Sequence, residues 1–127
     1  MINLNGLNTD YYDSGKIRSE FYQLNGCLHR IDGPAYIAWY ENGRKKVERY
    51  YINGISHREI IYYEDTDHME LEVYYYNDAL SRLHGQAIIH YDKNGLSYEE
   101  RYIIKNELIE VNSIEEFKKY IKLLMFK

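Results

Sequence analysis

The sequence lacks the features that tie a protein to membranes, nucleic acid or an oxidising compartment. Its one cysteine, Cys27, cannot form a disulfide within the chain, so we expect a reducing compartment. A net charge of −4 gives no basic excess to drive binding to nucleic acid or anionic lipid. No apolar run approaches the roughly 20 residues of a membrane span, and the opening stretch has no basic region followed by an apolar one. We therefore expect a cytoplasmic protein with no integral membrane segment, no secretory signal and no nucleic-acid partner.

The short motifs of catalysis and cofactor binding are also missing. The sequence contains no G-x-S-x-G, P-loop or G-x-G-x-x-G, and neither C-x-x-C nor H-E-x-x-H spacing relates its histidines and Cys27. We predict that the protein is not an enzyme and holds no metal and no cofactor. If a metal were bound, the residues to examine would be His57, His68, Asp65 and Asp67. The carboxylates of "EDTDH" (64–68) could form an acid–base pair, but the frequency of Asp in turns favours a solvated hairpin tip.

Tyrosine is the residue that the sequence has in excess, with sixteen among 127 residues. The mean hydropathy is nevertheless −0.64. Because a tyrosine ring buries apolar area while its hydroxyl keeps a partner or water, this content favours broad, shallow sheet surfaces over a deep dry core.

One stretch of the sequence occurs twice. "CLHRIDGPAYIAWYENG" (27–43) aligns without a gap with "ALSRLHGQAIIHYDKNG" (79–95), and seven positions are identical. Extending the alignment gives four units that begin near residues 12, 40, 64 and 92, at spacings of 28, 24 and 28. The spacing of 24 arises because the second unit lacks residues equivalent to Ile31–Pro34. Self-similarity at this period indicates an array in which each unit buries apolar surface against its neighbours.

Each unit has the pattern of a β-hairpin. Asn-Gly pairs, which suit the two positive φ angles of a type I′ turn, lie at 5–6, 25–26, 42–43, 53–54 and 94–95. Ser14-Gly15 and Asn77-Asp78 fill the same role less well. Strands are predicted near 9–13, 16–24, 35–41, 44–52, 55–63, 69–76, 79–91 (broken near 83–86) and 96–104. The expected fold is mainly β: one domain over 1–127, with a twisted antiparallel meander of hairpin repeats over about 9–106.

Two-residue turns predict the register of these hairpins. They set Tyr22 opposite His29, Tyr50 opposite His57 and Tyr74 opposite Ser81. Four glutamates each precede a repeated tyrosine by two residues and so share its face: Glu20, Glu48, Glu72 and Glu100. We expect these side chains to form a ladder that holds the register, at about 0.2–1 kcal/mol for each cross-strand pair.

The end of the chain has helical rather than strand periodicity. In "NSIEEFKKYIKLLMFK" (112–127), Ser113 and Glu116 form the pattern of a capping box. We predict a helix over about 113–126 that caps the array and is apolar almost all round in its second half. Such a helix must be buried over the sheet or against another chain. A homodimer is therefore expected, and the oligomerisation residues are predicted to be Phe117, Tyr120, Ile121, Leu124 and Met125.

The pieces "LHGQAIIHYDKNG" (83–95) and "LHRIDGPAYIAWYENG" (28–43) resemble MORN (membrane occupation and recognition nexus) repeats. The shared features are a turn glycine, a His-Gly or His-Arg step and an aromatic-x-x-Gly hairpin tip. The "LHR-x-DGPA" form is similar to repeat proteins of giant DNA viruses of amoebae. Over roughly 11–106, this resemblance implies a curled antiparallel sheet, no catalysis, and a role in scaffolding, dimerisation or partner binding, in the host cytoplasm or the virion. A departure from the family is Gly33-Pro34-Ala35, where MORN units usually carry Gly-x-Gly.

Aromatic rings on a sheet that one helix cannot cover predict an interaction surface. The predicted partner-binding residues are Tyr36, Trp39, Tyr40, Tyr50, Tyr51, Tyr74 and Tyr75. The alternative is that these rings only pack across strands. The main basic cluster, "RKKVER" (44–49), would be divided by strand alternation, with Lys45, Val47 and Arg49 on one face and Arg44, Lys46 and Glu48 on the other.

The hypothesis from sequence is therefore a non-enzymatic interaction, scaffold or structural protein that recognises a protein partner through an aromatic-rich sheet face. The resemblance to the giant-virus repeat proteins implies in addition a viral protein, located in the host cytoplasm or the virion. An antitoxin or immunity-type binding protein is the alternative, because a related bacterial group carries that label. Binding to nucleic acid or phospholipid ranks last.

Overall fold

The structure is a computed structural model that describes residues 2–125, and its main element is one open antiparallel sheet. The strands are β1 (Gly6–Tyr11), β2 (Ile17–Leu24), β3 (Cys27–Leu28), β4 (Tyr36–Trp39), β5 (Lys45–Ile52), β6 (Ile55–Tyr62), β7 (Met69–Tyr76), β8 (Ala79–Leu80), β9 (Ile88–Tyr91), β10 (Ser97–Ile104) and β11 (Glu107–Ile109). A single helix, α1 (Ile114–Met125), follows them. The predicted mainly β fold with a C-terminal helix is confirmed. Within residues 2–125, no helix has the length and apolar character needed to cross a membrane.

The sheet follows the chain as a meander. Its order is β1-β2-β4-β5-β6-β7-β9-β10-β11, while β3 pairs with β2 and β8 pairs with β7. The strand beside β2 is thus broken into β3 and β4, and the strand beside β7 into β8 and β9. The break predicted near 83–86 is confirmed. β6 runs unbroken, as the four missing residues of the second unit imply. The short strands β3 and β11 were not predicted.

Two kinds of turn alternate along the sheet, not the single kind predicted. Four turns have positive φ at both central residues, as type I′ requires: Asn25-Gly26, Asn53-Gly54, Asn77-Asp78 and Lys105-Asn106. At Asn5-Gly6, Asn42-Gly43 and Asn94-Gly95 only the glycine has positive φ, so the type I′ assignment was wrong there. Asn42-Gly43 and Asn94-Gly95 belong to wider loops. In the first of these loops, the Tyr40 amide donates to the Arg44 carbonyl at 2.8 Å, and the Gly43 amide donates to the Tyr40 carbonyl at 2.9 Å. The Ser14-Gly15 loop has the same pattern of bonds.

A β-bulge recurs at the same place in every unit. The extra residues are Arg18, Lys46, Glu70 and Tyr98, at spacings of 28, 24 and 28. A further bulge at His57 shifts the register of β5 and β6, so that Tyr50 lies opposite Arg58. The predicted pairing of Tyr50 with His57 was wrong for this reason, since an inserted residue moves every later pair by one. For the other two hairpins the predicted pairs hold: the His29 amide donates to the Tyr22 carbonyl and the Ser81 amide to the Tyr74 carbonyl.

Tyrosine hydroxyls tie each unit to the next. Tyr12 donates to the carbonyl of Trp39 at 2.6 Å, and Tyr40 donates to the carbonyl of Tyr62 at 2.9 Å. Tyr63 does the same to Tyr91 at 2.5 Å. Tyr12 and Tyr40 are equivalent residues of successive units, and Tyr63 lies one residue before the equivalent position because its loop is one residue longer. The repeat therefore specifies contacts between neighbouring units, as an array requires.

The predicted glutamate ladder is one continuous row across the sheet. Direct cross-strand partners run Thr9, Glu20, Ile37, Glu48, Ile60, Glu72, Ile89 and Glu100. Because directly paired residues share a face, this row defines what we call the glutamate face. The next row defines the opposite face: Phe21, Tyr36, Arg49, Glu59, Val73, Ile88 and Arg101.

The helix covers the glutamate face at the β10 end of the sheet. Its first turn is capped: Ser113 Oγ accepts from the Glu116 amide at 3.2 Å, and Glu116 Oε2 accepts from the Asn112 amide at 2.9 Å. Phe117 is fully buried, and its ring centroid lies 4.5 Å from that of Tyr102.

The residues predicted for oligomerisation are thus divided by the helix. Phe117 and Ile121 pack into the chain's own core, with Tyr120 half-buried beside them. Leu124 and Met125 are exposed. Phe126, the last residue of the predicted helix, lies outside the described residues.

Candidate functional site

The repeated Arg-x-x-Gly step builds two matching loops over the glutamate face. The Arg30 guanidinium lies 4.2 Å from the ring centroid of Tyr22, and its Nη1 donates to the Pro34 carbonyl at 3.2 Å. A Cβ on Gly33 would lie 3.1 Å from Arg30 Cζ, so a larger residue there would have to displace the guanidinium.

Arg82 repeats this arrangement on Tyr74. Its guanidinium lies 3.8 Å from the Tyr74 ring centroid and donates to the Gln86 carbonyl at 3.2 Å, beside Gly85. Ala35 and Ala87, which follow the two loops, have no exposed surface. The repeated stretch is therefore a packing motif, because its arginine, glycine and alanine have the same surroundings within the chain in both copies.

The shorter second unit places its arginine differently. With no loop to fold over, Arg58 stays in β6, with its guanidinium 5.3 Å from the Tyr50 ring centroid and 5.5 Å from that of Tyr74. Its Nε donates to Glu72 Oε2 at 3.0 Å, and its Nη2 also contacts that oxygen. Because the second unit lacks this loop, the Arg58 guanidinium binds Glu72 at the centre of the glutamate row.

Glu72 is the hub of a buried polar network. Glu72 is 5% exposed, and its carboxylate accepts from Tyr74 at 2.7 Å and from Tyr91 at 2.9 Å in addition to Arg58. Burial alone would raise the pKa of Glu72, but the hydrogen bonds from Tyr74, Arg58 and Tyr91 lower it below its usual value. The carboxylate is therefore an anion whose lone pairs are used by the chain's own donors, which is the arrangement of a structural group.

Glu48 forms a smaller network of the same kind one unit earlier. It is also buried, accepts from the hydroxyl of Tyr62, and has Lys45 Nζ at 3.5 Å. Burial and then the bond to Glu48 raise the pKa of Tyr62. Burial and the bond to Glu72 raise the pKa of Tyr91 to about 12.

These shifts predict a late phase in an alkaline titration. Folding favours the neutral phenol when the folded pKa lies above the usual value of 10.0. The stabilisation from Tyr91 is then complete below pH 10 and lost as the pH rises towards 12. We expect the ultraviolet absorbance of tyrosinate to show a component that titrates only as the protein unfolds, and Tyr91→Phe to reduce it. A single transition at the usual pKa, completed in the folded protein, would contradict this network.

The seven residues predicted to bind a partner do not form one surface. Tyr50 and Tyr74 lie on the glutamate face and stack with Arg58, so they pack across strands, as the alternative interpretation held. The other strand tyrosines, Tyr36, Tyr51 and Tyr75, lie on the opposite face. Trp39 and Tyr40 stand at the end of β4, beside the turn. All seven side chains are partly exposed.

The opposite face combines aromatic rings with charge. Arg49 Nε donates to Glu59 Oε2 at 2.8 Å, and its guanidinium lies 5.1 Å from the Tyr36 ring centroid. Burial raises the pKa of Tyr75, and the nearby Glu59 and Tyr51 raise it further. Tyr36, Tyr51 and Tyr75 therefore surround one ion pair at the middle of this face.

Sequence reasoning missed a basic cavity on the same face. It has a volume of about 300 Å³ and is lined by Tyr12, Arg18, Tyr36, Ala38, Trp39, Lys46, Val47 and Arg49. The predicted division of the basic cluster was wrong, because the bulge at Lys46 breaks the alternation: Lys46 joins Val47 and Arg49, while Lys45 reaches Glu48 on the other face. The signal available in the sequence was that Arg18 and Lys46 are equivalent residues of successive units.

An acidic cavity lies beside the basic one, at the edge of the sheet formed by the loops that follow Tyr12, Tyr40 and Tyr63. We call this edge the rim of turns. Its volume is about 570 Å³, and it is lined by Tyr40, Asn42, Tyr63, Glu64, Asp65, Glu70 and Lys93. Glu70 is the bulge residue equivalent to Lys46.

Two of the four residues named for a metal are already paired with cations of the chain. Asp65 pairs with Lys93 at 2.7 Å and Asp67 with Arg44 at 2.6 Å. His68 stands over Gly95, and His57 is the bulge residue near the other end of β6. Among residues 2–125, no three His, Cys, Asp or Glu side chains converge as a metal site would require.

Together the sheet and its cavities define a repeat protein in which one face is packed by its own tyrosine–arginine–glutamate networks and carries the helix, while the opposite face carries the basic cavity and partly exposed rings. Comparisons of the chain with protein-family models, curated proteins and solved structures find no match.

Proposed function

We propose that the protein is a non-enzymatic interaction module that binds a protein partner on the opposite face of its sheet. One observation carries the proposal. The helix packs on the glutamate face, through Phe117 and Tyr102, while Tyr36, Tyr51 and Tyr75 on the opposite face keep exposed ring surface. Tyrosine rings beside an arginine are typical of the residues that dominate binding at the centre of a protein interface.

The networks of the glutamate face support the same proposal indirectly. Glu48 and Glu72 are buried and already bonded, so these carboxylates act as supports of the sheet. The resemblance to MORN repeats agrees with a scaffolding or partner-binding role. On this proposal, the array is a rigid platform and recognition depends on the rings and charges of its uncovered face.

A quantitative pull-down tests this proposal. The tagged protein and the double variant Trp39→Ala/Tyr51→Ala are incubated with lysate of the native source, with Tyr76→Ala, an exposed ring at a hairpin turn, as the matched control. Loss of two interface rings should reduce recovery of the partner at least about tenfold, because such anchors dominate binding energy. The control should recover it unchanged. Equal recovery by all three proteins, with equal thermal unfolding, would contradict the proposal.

A further inference from the structure

The two cavities on the rim of turns carry opposite charge. In the basic cavity, Arg18 pairs with Asp10 at 2.9 Å and Arg49 pairs with Glu59 at 2.8 Å, yet neither carboxylate lines the cavity. Within the described part of the chain, Lys46 Nζ has no carboxylate oxygen within ion-pair distance. The cavity therefore presents an uncompensated cation between aromatic rings.

The acidic cavity has the reverse balance. Of its three carboxylates, Asp65 is paired with Lys93 at 2.7 Å, while Glu64 and Glu70 have no cationic partner among residues 2–125. Burial raises the pKa of Tyr40, and the charges of Glu64 and Glu70 raise it further, so both carboxylates act on the wall of this cavity.

Tyr40 separates the two cavities. It lines the acidic one, and Lys46 Nζ of the basic one lies 5.7 Å from its ring centroid. Lys46 and Glu70 occupy equivalent bulges on β5 and β7, with β6 between them. Two strand spacings put such positions about 10 Å apart.

We propose that the rim binds an extended segment of the partner protein that places an acidic side chain in the basic cavity and a basic side chain, three residues away, in the acidic cavity. This inference rests on the proposed function and specifies the chemistry of the partner. A polyproline II segment rises about 9 Å over three residues and points every third side chain the same way, which matches the cavity spacing. A β-strand, whose side chains share a face every second residue, would place them about 7 Å or 13 Å apart.

The row of tyrosines along the rim favours a polyproline II conformation of the partner segment. Tyr12, Tyr40 and Tyr63 recur along the rim, one in each unit, and their hydroxyls are held by the next unit. Fixed aromatic rings separated by shallow cavities form the kind of groove in which polyproline segments dock. The partner segment would thus cross the units of the array instead of pairing with a strand edge.

The experiment uses Trp39, the only tryptophan in the chain, as a fluorescent reporter at the basic cavity. The probe is a synthetic proline-rich peptide that contains Glu-Pro-Pro-Lys. The peptide controls carry Gln-Pro-Pro-Gln, which removes the charge, and Glu-Pro-Lys, which shortens the spacing. The protein variants are Lys46→Glu, Glu70→Lys and the double exchange, with the exposed helix residue Lys118→Glu as a matched control.

We expect the Glu-Pro-Pro-Lys peptide to change the Trp39 fluorescence and its affinity to fall as salt rises. Each single charge reversal, and each control peptide, should weaken binding about tenfold. The double exchange should restore affinity, because a polyproline segment can bind in the reversed direction, and Lys118→Glu should change nothing. Restored binding separates charge complementarity from damage to the fold.

Other outcomes overturn the inference in distinguishable ways. Equal affinity for the Gln-Pro-Pro-Gln peptide, or no recovery in the double exchange, would rule out the paired-charge site. Tighter binding of a single-stranded DNA oligonucleotide, lost in Lys46→Glu, would assign the basic cavity to nucleic acid. If the peptide fails while Trp39→Ala/Tyr51→Ala still loses the natural partner, the interaction face stands and the proposed peptide chemistry is wrong. If the peptide behaves as expected while that double variant keeps its partner, the proposed function fails.

Discussion

Replacing Glu72 with alanine is expected to lower the free energy of unfolding by about 3 kcal/mol, the lower end of the range for breaking a buried ion pair. The change leaves the Arg58 guanidinium without its carboxylate and removes the acceptor of the Tyr74 and Tyr91 hydroxyls. The lower end applies because the Arg58 side chain is 31% exposed and can recruit water. Denaturant unfolding of the purified protein measures the effect.

The repeat supplies a matched control at Glu100, which stands in the same cross-strand row but at an exposed position. Its carboxylate accepts from Gln86 and Ser97, both in reach of solvent. Glu100→Ala should therefore cost less than about 1 kcal/mol, as surface substitutions do. Equal losses at the two positions would show that the row acts only through strand pairing and that the buried network adds nothing.

Replacing Phe117 with alanine is expected to cost about 3–4 kcal/mol, as removal of a buried aromatic ring does. Among residues 2–125, Phe117 is the largest fully buried side chain, and it holds α1 against Tyr102. Because an isolated helix of this length is marginal in water, the loss of its anchor should also reduce helical content. Circular dichroism and denaturant unfolding together measure both effects.

Leu123→Ala on the same helix is the control for this prediction. Leu123 is 68% exposed, so its removal should leave the free energy of unfolding within about 0.5 kcal/mol of that of the parent protein. The helical content should be unchanged. If Leu123→Ala and Phe117→Ala were equally mild, the helix would not be the cap of the sheet. If Phe117→Ala unfolded the sheet without prior loss of helix, the cap and the array would form one cooperative unit.

Much of the fold was predictable because the local signals agree with the long-range pattern. Asn25-Gly26 and Asn53-Gly54 have the backbone angles that their residue types favour, and the strands between the turns carry the expected alternation. The row of Glu20, Glu48 and Glu72 followed from the repeat spacing alone, since equivalent residues of an array occupy equivalent places.

The elements that were missed depend on weak or misleading local signals. The last hairpin turns at Lys105-Asn106, where both residues have positive φ although lysine rarely favours it. The sequence therefore contains no recognisable turn pair before β11, and this strand was not predicted. Asn42-Gly43 has the letters of a type I′ turn but closes a wider loop, because the bulge at Lys46 changes how β4 and β5 meet.

The site was less predictable than the fold for the same reason. Strand alternation correctly separates Tyr50 from Tyr51 and Tyr74 from Tyr75, but which face stays open depends on where the helix packs. Convergence of Arg18, Lys46 and Arg49 depends on a bulge, which the sequence does not mark. A repeat-by-repeat alignment of bulge positions is the physical information that would have located the cavity.

The central claim is that equivalent residues of successive units lie in one cross-strand row. Nuclear Overhauser contacts between backbone protons test it most directly, because directly opposed residues of antiparallel strands bring their α carbons within about 4.5–5.5 Å. We predict contacts that link Glu48 with Ile60, Ile60 with Glu72, and Glu72 with Ile89. Contacts that place Glu48 beside Glu59, or β5 directly beside β7, would contradict the array.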